Sequence, residues 1–320
     1  MTSRPPRLLR SRRAPAPGAA EPVHDVVFVI AEANRGWILE GICRDTGRHV
    51  AGKVAYHYGL NTLPPARVYF FSHYSLYAQA VNEGRLPQYA KTLVYFTHPP
   101  TSWWSQRRLT SSLSSCTRVL SMASTHSRKL ISLGVPTDRV STVLGAADPF
   151  MFRPHERGRG AVGFVSAYYA RKSPERMVAL VRAMPETPFL LLGRGWRESP
   201  VTGELASLRN LEIVEAPYSD YPSHYALMDV FVSLSSLEGG PIPLIEAMMS
   251  NVFPVCTRTG FAPDLLTQGV NGLLCDVEAP TATIVNLVRR ALAKTNSVRE
   301  SVEHLDWPRY AGYVTRALDH

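Results

Sequence analysis

Two carboxylates eight positions apart, Glu238 and Glu246, enclose the run Gly239-Gly240-Pro241-Ile242-Pro243. Two glycines let a backbone approach a ligand closely, and prolines in a first helical turn cost little because the amides there lack intrahelical partners. The pattern predicts a strand ending near Leu234, a loop carrying Glu238, and a helix over 242–250 whose second turn presents Glu246. The amides and dipole at such a helix start make an anion site suited to a diphosphate. A carboxylate in the second turn can accept two hydrogen bonds from a vicinal diol such as a ribose. The alternative is a solvated loop acid followed by an acid on a helix face.

Arg171 and Lys172 are adjacent cations between an apolar run at 161–166 and a helix opened by Pro174. Such a pair can hold a diphosphate leaving group, or it can be an exposed basic turn. His98 follows the apolar run 92–97 and His73 follows 67–72, so both histidines compete for a place facing a cleft. Gly36 stands just before a helix start at Trp37 that could offer amides to a phosphate, and Gly193-Arg194-Gly195 follows a Leu-Leu-Leu run. Trp103 and Trp104 could form an apolar acceptor platform or pack against a neighbouring helix.

These residues need elements to hold them. Short apolar runs alternate with amphipathic stretches, a pattern that asks for parallel strands covered by helices. Strands are expected at 25–31, 50–56, 67–72, 92–97, 118–122 and 140–144, with helices near 37–46, 75–83, 105–114 and 125–134. Between 148 and 160 the pattern lapses into Pro149, Pro154, Gly158 and Gly160, which marks a domain boundary. Strands resume at 161–166, 189–192, 211–214, 230–234, 252–256 and 273–275, with helices near 174–184, 223–228, 242–250 and 281–293. Two α/β domains follow, 23–155 and 156–303, and a site is expected beyond the carboxyl ends of their strands, in the cleft between them.

The run from Tyr225 to Leu274, with Glu238 and Glu246 followed by Phe253-Pro254-Val255, Gly260, Asp264, Gly269 and Gly272, resembles the donor-binding region of glycosyltransferase family 4. These are retaining enzymes of the GT-B fold, with two Rossmann-like domains. The resemblance implies that Glu246 binds the ribose of a nucleoside diphosphate sugar, UDP- or GDP-linked, and that Glu238 lies near the donor sugar. It further implies that Gly239 through Pro243 line the diphosphate and sugar, that Arg171 and Lys172 neutralise the leaving group, and that Gly193 and Arg194 sit beside the base. His98 fits a histidine that approaches the donor sugar. Gly145-Ala-Ala-Asp148 with Phe152 and Pro154 resembles the interdomain hinge, and 304–320 the segment that returns to the first domain. No Asp has another two positions on, which disfavours transferases that hold the diphosphate through a metal on such a pair. No metal or other cofactor is expected.

The chain of 320 residues has a net charge of +9, which invites a nucleic-acid reading. Arg4, Arg7, Arg10, Arg12 and Arg13 supply five of those charges from a proline-rich segment, 1–22, that has too little apolar surface to order itself. No nucleic-acid partner is expected. Leu8-Leu9 runs straight into Arg10, so no secretory signal is read, and any membrane contact would be peripheral. Cys43, Cys116, Cys256 and Cys275 are widely spaced, which suits reduced thiols in a cytoplasmic protein. The reading is a retaining, metal-independent transferase acting on an unidentified acceptor hydroxyl. A nucleotide-sugar epimerase or hydrolase on the same fold, and a non-catalytic nucleotide-sugar binder, are the rivals.

Overall fold

The structure, a computed structural model, describes residues 23–87, 91–98, 100 and 103–319, with the backbone alone for 103–105 and 317–319. The basic segment 1–22 and the side chains of Trp103 and Trp104 therefore lie outside the described residues.

Each of the twelve expected strands forms. The first six are β1 (His24–Ile30), β2 (Val54–Tyr58), β3 (Ala66–Phe71), β4 (Lys91–Phe96), β5 (Arg118–Ser121) and β6 (Val140–Thr142), interleaved with helices α1 (Ile38–Gly47), α2 (Tyr74–Asn82), α3 (Trp103–Leu113) and α4 (Ser124–Ser132). The second six are β7 (Val162–Val165), β8 (Phe189–Leu192), β9 (Leu211–Val214), β10 (Val230–Ser233), β11 (Phe253–Thr257) and β12 (Leu273–Cys275). Their helices are α5 (Pro174–Ala183), α6 (Thr202–Ala206), α7 (Tyr221–Tyr225), α8 (Ile242–Met249), α9 (Ala262–Leu265) and α10 (Thr281–Leu292), and α11 (Trp307–Asp319) follows. The short α6 and α9 are not expected from periodicity, because four or five residues carry little more than one turn of pattern. Strand β2 starts later than its apolar run: Gly52 takes a φ of 104° and the Asp25 carboxylate accepts the Lys53 N–H at 2.9 Å, so the chain is still turning there.

Both sheets are parallel throughout, in the orders β2-β1-β3-β4-β5-β6 and β12-β11-β10-β7-β8-β9. Strands such as Val26–Ile30 and Val162–Val165 are buried outright, because helices cover both faces of a parallel sheet and continuous apolar runs are what that environment stabilises. Each order reverses once, between β1 and β3 in the first sheet and between β7 and β10 in the second. Loops leaving the strands on either side of such a reversal diverge and open a crevice at the carboxyl edge.

The chain crosses between the sheets twice, and the crossings are tied together. The Ala147 N–H donates to the Leu305 carbonyl at 3.0 Å, and the Arg299 guanidinium donates to the carbonyls of Pro149 (3.0 Å), Phe152 (2.7 Å) and Met249 (2.5 Å). Helix α11 lies against α1 and β3 of the first sheet, burying Trp307, Tyr310, Ala311 and Val314. Among the described residues no helix is long and apolar enough to cross a membrane.

Candidate active site

The reversal in the second sheet brings the expected charges together. The loop leaving β7 carries Arg171 and Lys172, the loop leaving β10 carries Glu238, and the Ser236 N–H binds the Arg171 carbonyl at 2.8 Å to join the two loops. Arg171 Nη1 lies 3.1 Å from Glu238 Oε2, and Lys172 Nζ bonds Glu238 Oε1, which also accepts from the Ser235 hydroxyl at 2.6 Å. The glutamate side chain is 6% exposed and those of Lys172 and Arg171 14% and 31%. Burial alone would raise the carboxyl's pKa, but Lys172 and then Arg171 outweigh it and hold Glu238 below the usual carboxylate range. The two cations expected to meet a diphosphate thus carry their own counterion.

Eight residues on, Glu246 is also buried but its partners are neutral. The Tyr218 hydroxyl donates to Oε1 at 2.6 Å and the Tyr225 hydroxyl to Oε2 at 2.8 Å. Burial raises its pKa to about 7 against the lowering effect of both phenols, and Asp45 on α1 adds to the rise. Tyr218, Tyr221 and Tyr225 were not expected at the site. Their spacing of three and four residues, one face of a helical turn, was the signal available in the sequence.

At Gly239 and Gly240 the structure shows what occupies the space a side chain would need. Both permit a close approach, but the chain that approaches is the protein's own. A Cβ on Gly239 would lie 2.6 Å from the carbonyl oxygen of Thr97, next to His98, and a Cβ on Gly240 would strike Met122 and Phe261. Pro241 caps α8 and Pro243 sits in its first turn, so neither offers an amide, and the Leu244 N–H is spent on the Pro241 carbonyl. That leaves the Ile242 amide and the two glycine amides as the donors this helix start could offer an anion. Pro241 and Pro243 share with Lys172, Ser166, Ser233 and Ser235 the lining of a cavity of about 20 Å³, room for about one water. All of its lining comes from the second half of the chain, between the loops leaving β7 and β10 and the start of α8.

The Gly36 N–H, just before α1, donates to Glu40 Oε2 at 2.6 Å, so that amide is spent on the helix that follows it. Glu40 also accepts from the Tyr58 hydroxyl and from Arg44 Nε at 2.7 Å, and these hydrogen bonds, Tyr58 first, hold it at about 2. The neighbouring Trp37 ring lies under the Arg194 guanidinium, 3.2 Å from its carbon, so Arg194 reaches across to the first half of the chain. Gly193 has a φ of 145°, and a side chain there would run into the Ser166 carbonyl. Asp264 on α9 makes another cross-link, accepting the Ser124 N–H at 2.8 Å and its hydroxyl at the start of α4.

His73 and His98 end adjacent strands. His73 Nδ1 caps its own helix, accepting the Ser75 N–H at 3.2 Å, and burial lowers it to about 4, with His98 contributing. His98 directly follows Thr97, whose carbonyl meets Gly239 on the loop that carries Glu238.

Residues 154–304 match the family described as glycosyl transferases group 1. A search of curated proteins finds no match. Among solved structures, Anabaena HepE in complex with UDP-glucose is similar at a TM-score of 0.74 and 13% identity, covering 92% of this chain and 99% of that one. The lipopolysaccharide outer core galactosyltransferase WaaB aligns at 0.69 and 11% over 92% and 99%. Sucrose-phosphate synthase from Thermosynechococcus elongatus aligns at 0.67 and 17% over 79% and 74%. The fold is GT-B.

Proposed function

We infer that the protein is a retaining glycosyltransferase that moves a sugar from a nucleoside diphosphate sugar to an acceptor hydroxyl. One observation carries the reading: Lys172, Arg171 and Glu238, from loops 66 residues apart, meet at the reversal of the second sheet, beside the start of α8 and with Glu246 one turn further in. Similar structures bind UDP-glucose and UDP, which makes a uridine diphosphate sugar the donor class to test first.

When the bond between the anomeric carbon and phosphate oxygen breaks, negative charge gathers on the diphosphate and positive charge on the sugar. Lys172 and Arg171 then exchange Glu238 for phosphate oxygens, and the freed carboxylate accepts hydrogen bonds from the donor sugar. Cations and helix amides meet the leaving group's charge, so the reaction asks for no metal. The acceptor oxygen bonds to the anomeric carbon on the face the diphosphate leaves, and its proton departs with the diphosphate. Glu246 binds the ribose.

The test is calorimetric titration of UDP and GDP, followed by incubation with UDP-glucose and a panel of hydroxyl acceptors, with proton NMR of the product's anomeric coupling. Binding of a nucleoside diphosphate and transfer with retained configuration are expected, and Lys172→Ala is expected to lower transfer by about a thousandfold, as for loss of a transition-state charge partner. Inverted configuration, C2-epimerised sugar without acceptor, or binding with no transfer to any acceptor overturns the reading.

A further inference from the structure

The two tyrosines on Glu246 are held very differently. Tyr225, on α7, is 0% exposed, its hydroxyl also reaches the Pro243 carbonyl at 3.2 Å, and its ring stands edge-on to Phe152 at 5.6 Å. Tyr218 opens the three-residue 3-10 turn Tyr218–Asp220, is 42% exposed, and rests its ring on Tyr221 at 5.3 Å and Phe152 at 6.0 Å. One phenol belongs to the core, while the other has its hydroxyl in the core and much of its ring in solvent.

A buried carboxyl without hydrogen-bond partners is costly, so Glu246 needs donors whether or not the cleft is filled. A ribose hydroxyl entering from the cleft brings the same kind of donor to the same group. We propose that Tyr218 is a displaceable placeholder, its hydroxyl occupying Glu246 Oε1 until a ribose hydroxyl of the nucleoside diphosphate takes that position, while Tyr225 stays on Oε2. This rests on reading Glu246 as the ribose-binding carboxylate. The exchange replaces one neutral O–H donor by another, so the ligand-free protein keeps its carboxyl satisfied without opposing the donor by more than one hydrogen bond. It also makes the site selective for nucleotides that bring a ribose hydroxyl, since a dideoxyribose has nothing to offer in return for the phenol.

Calorimetry with UDP and with 2′,3′-dideoxy-UDP tests this on the full chain and on Tyr218→Phe, Tyr225→Phe and Glu246→Gln. Tyr218→Phe removes the competitor, so it is expected to bind UDP about fivefold more tightly, the worth of one hydrogen bond, and to melt at a lower temperature without ligand. Its affinity for the dideoxynucleotide is expected to stay as in the unmodified protein, and Tyr225→Phe is expected to show no gain for UDP. Unchanged or weaker UDP binding by Tyr218→Phe overturns the proposal, because a merely structural tyrosine would lower the melting temperature without raising affinity. UDP binding by Glu246→Gln equal to the unmodified protein overturns the ribose reading itself, a separate result. A readout without substitution of the ring is 3-fluorotyrosine at 218: its 19F resonance is expected to shift with UDP and not with the dideoxynucleotide, and a shift with both or with neither sinks the exchange.

Discussion

Glu238 and Glu246 lie on one loop–helix unit, and both are buried, yet one is ringed by cations and the other by phenols. At the Glu238 end the carboxyl is held ionised by Lys172 and Arg171 against its burial, whereas at the Glu246 end burial wins and the carboxyl rises to about 7. The same side chain in the same degree of burial serves opposite purposes. A charge pair presents cations that a more highly charged anion can capture. A phenol pair presents a carboxyl that neutral hydroxyls can share. The difference fits a nucleoside diphosphate, whose charge is at one end and whose diol is at the other.

Breaking the pair at the cation end is the most severe test of that contrast. Lys172→Met leaves Glu238 buried with Arg171 alone, and loss of one partner from a buried pair costs about 3–5 kcal/mol. Urea unfolding at pH 7 should show that loss with an unchanged denaturant slope. Adding Glu238→Gln removes the orphaned charge, and the double variant should regain most of the stability. If Lys172→Met alone costs under about 1 kcal/mol, the pair behaves as an exposed one and the contrast between the two ends collapses.

The two ends also predict opposite responses to pH. Glu246 has a folded value of about 7 against an ordinary 4.5, so between those values the folded protein holds a proton that the unfolded chain has released. Stability from this group therefore falls as pH rises from about 4.5 to 7 and levels off above, by on the order of 3 kcal/mol. Glu238, held low, acts the other way: its contribution is present above its ordinary range and is lost as pH falls through its folded value. Glu246→Gln should flatten the decline between pH 5 and 8 and make the variant the more stable protein at pH 8, even as it loses nucleotide binding. Parallel pH profiles for the two proteins would mean that Glu246 is solvated after all.

What the sequence told and what it withheld follow from the range of the interactions involved. Strands buried on both faces, such as β1 and β7, read as apolar runs, whereas the half-buried edge strand β2 was legible only with its start four residues early. Glu238, Arg171, Lys172 and Glu246 stood out because each belongs to a local loop-to-helix pattern. The partners of Glu246 come from a turn 28 residues away and a helix 21 residues away, and only the fold sets those distances. Glu40 shows the same limit, since Tyr58 reaches it only because β2 pairs with β1. Gly239 and Gly240 announce a close approach, but a missing side chain does not say which neighbour fills the space, and here it is Thr97 and Met122.

The comparison extends to how each end is closed. Near the Glu238 end, Asp264 caps α4 from the other half of the chain, while towards Glu246 the closure is the stacking of Arg194 on Trp37. Losing a cap costs about 1 kcal/mol, and an exposed cation over an aromatic ring about 0.5–1 kcal/mol. Asp264→Ala should therefore destabilise the protein slightly more than Trp37→Leu in urea unfolding, and the two losses should add because no residue is shared. A marked departure from additivity would show that both ends open as one.

The smallest effect concerns backbone strain beside the cation end. Ser173, directly after Lys172, has φ 56° and ψ 58°, the left-handed region that L residues avoid, and its side chain makes no cap hydrogen bond to α5. That conformation costs roughly 1–2 kcal/mol in a residue with a Cβ. Glycine adopts it freely but loses more entropy on folding, which offsets part of the gain. Ser173→Gly should thus stabilise the protein by about 0.5–1 kcal/mol, read as a higher urea midpoint at constant slope. Because the turn at 173 sets the direction in which Lys172 leaves the backbone, transfer by the variant should be unchanged if Glu238 alone positions the lysine, and reduced if the strained turn helps to aim it. A fall in stability would show that the serine makes an interaction worth more than its strain, and would take the backbone out of the account of how Lys172 meets Glu238.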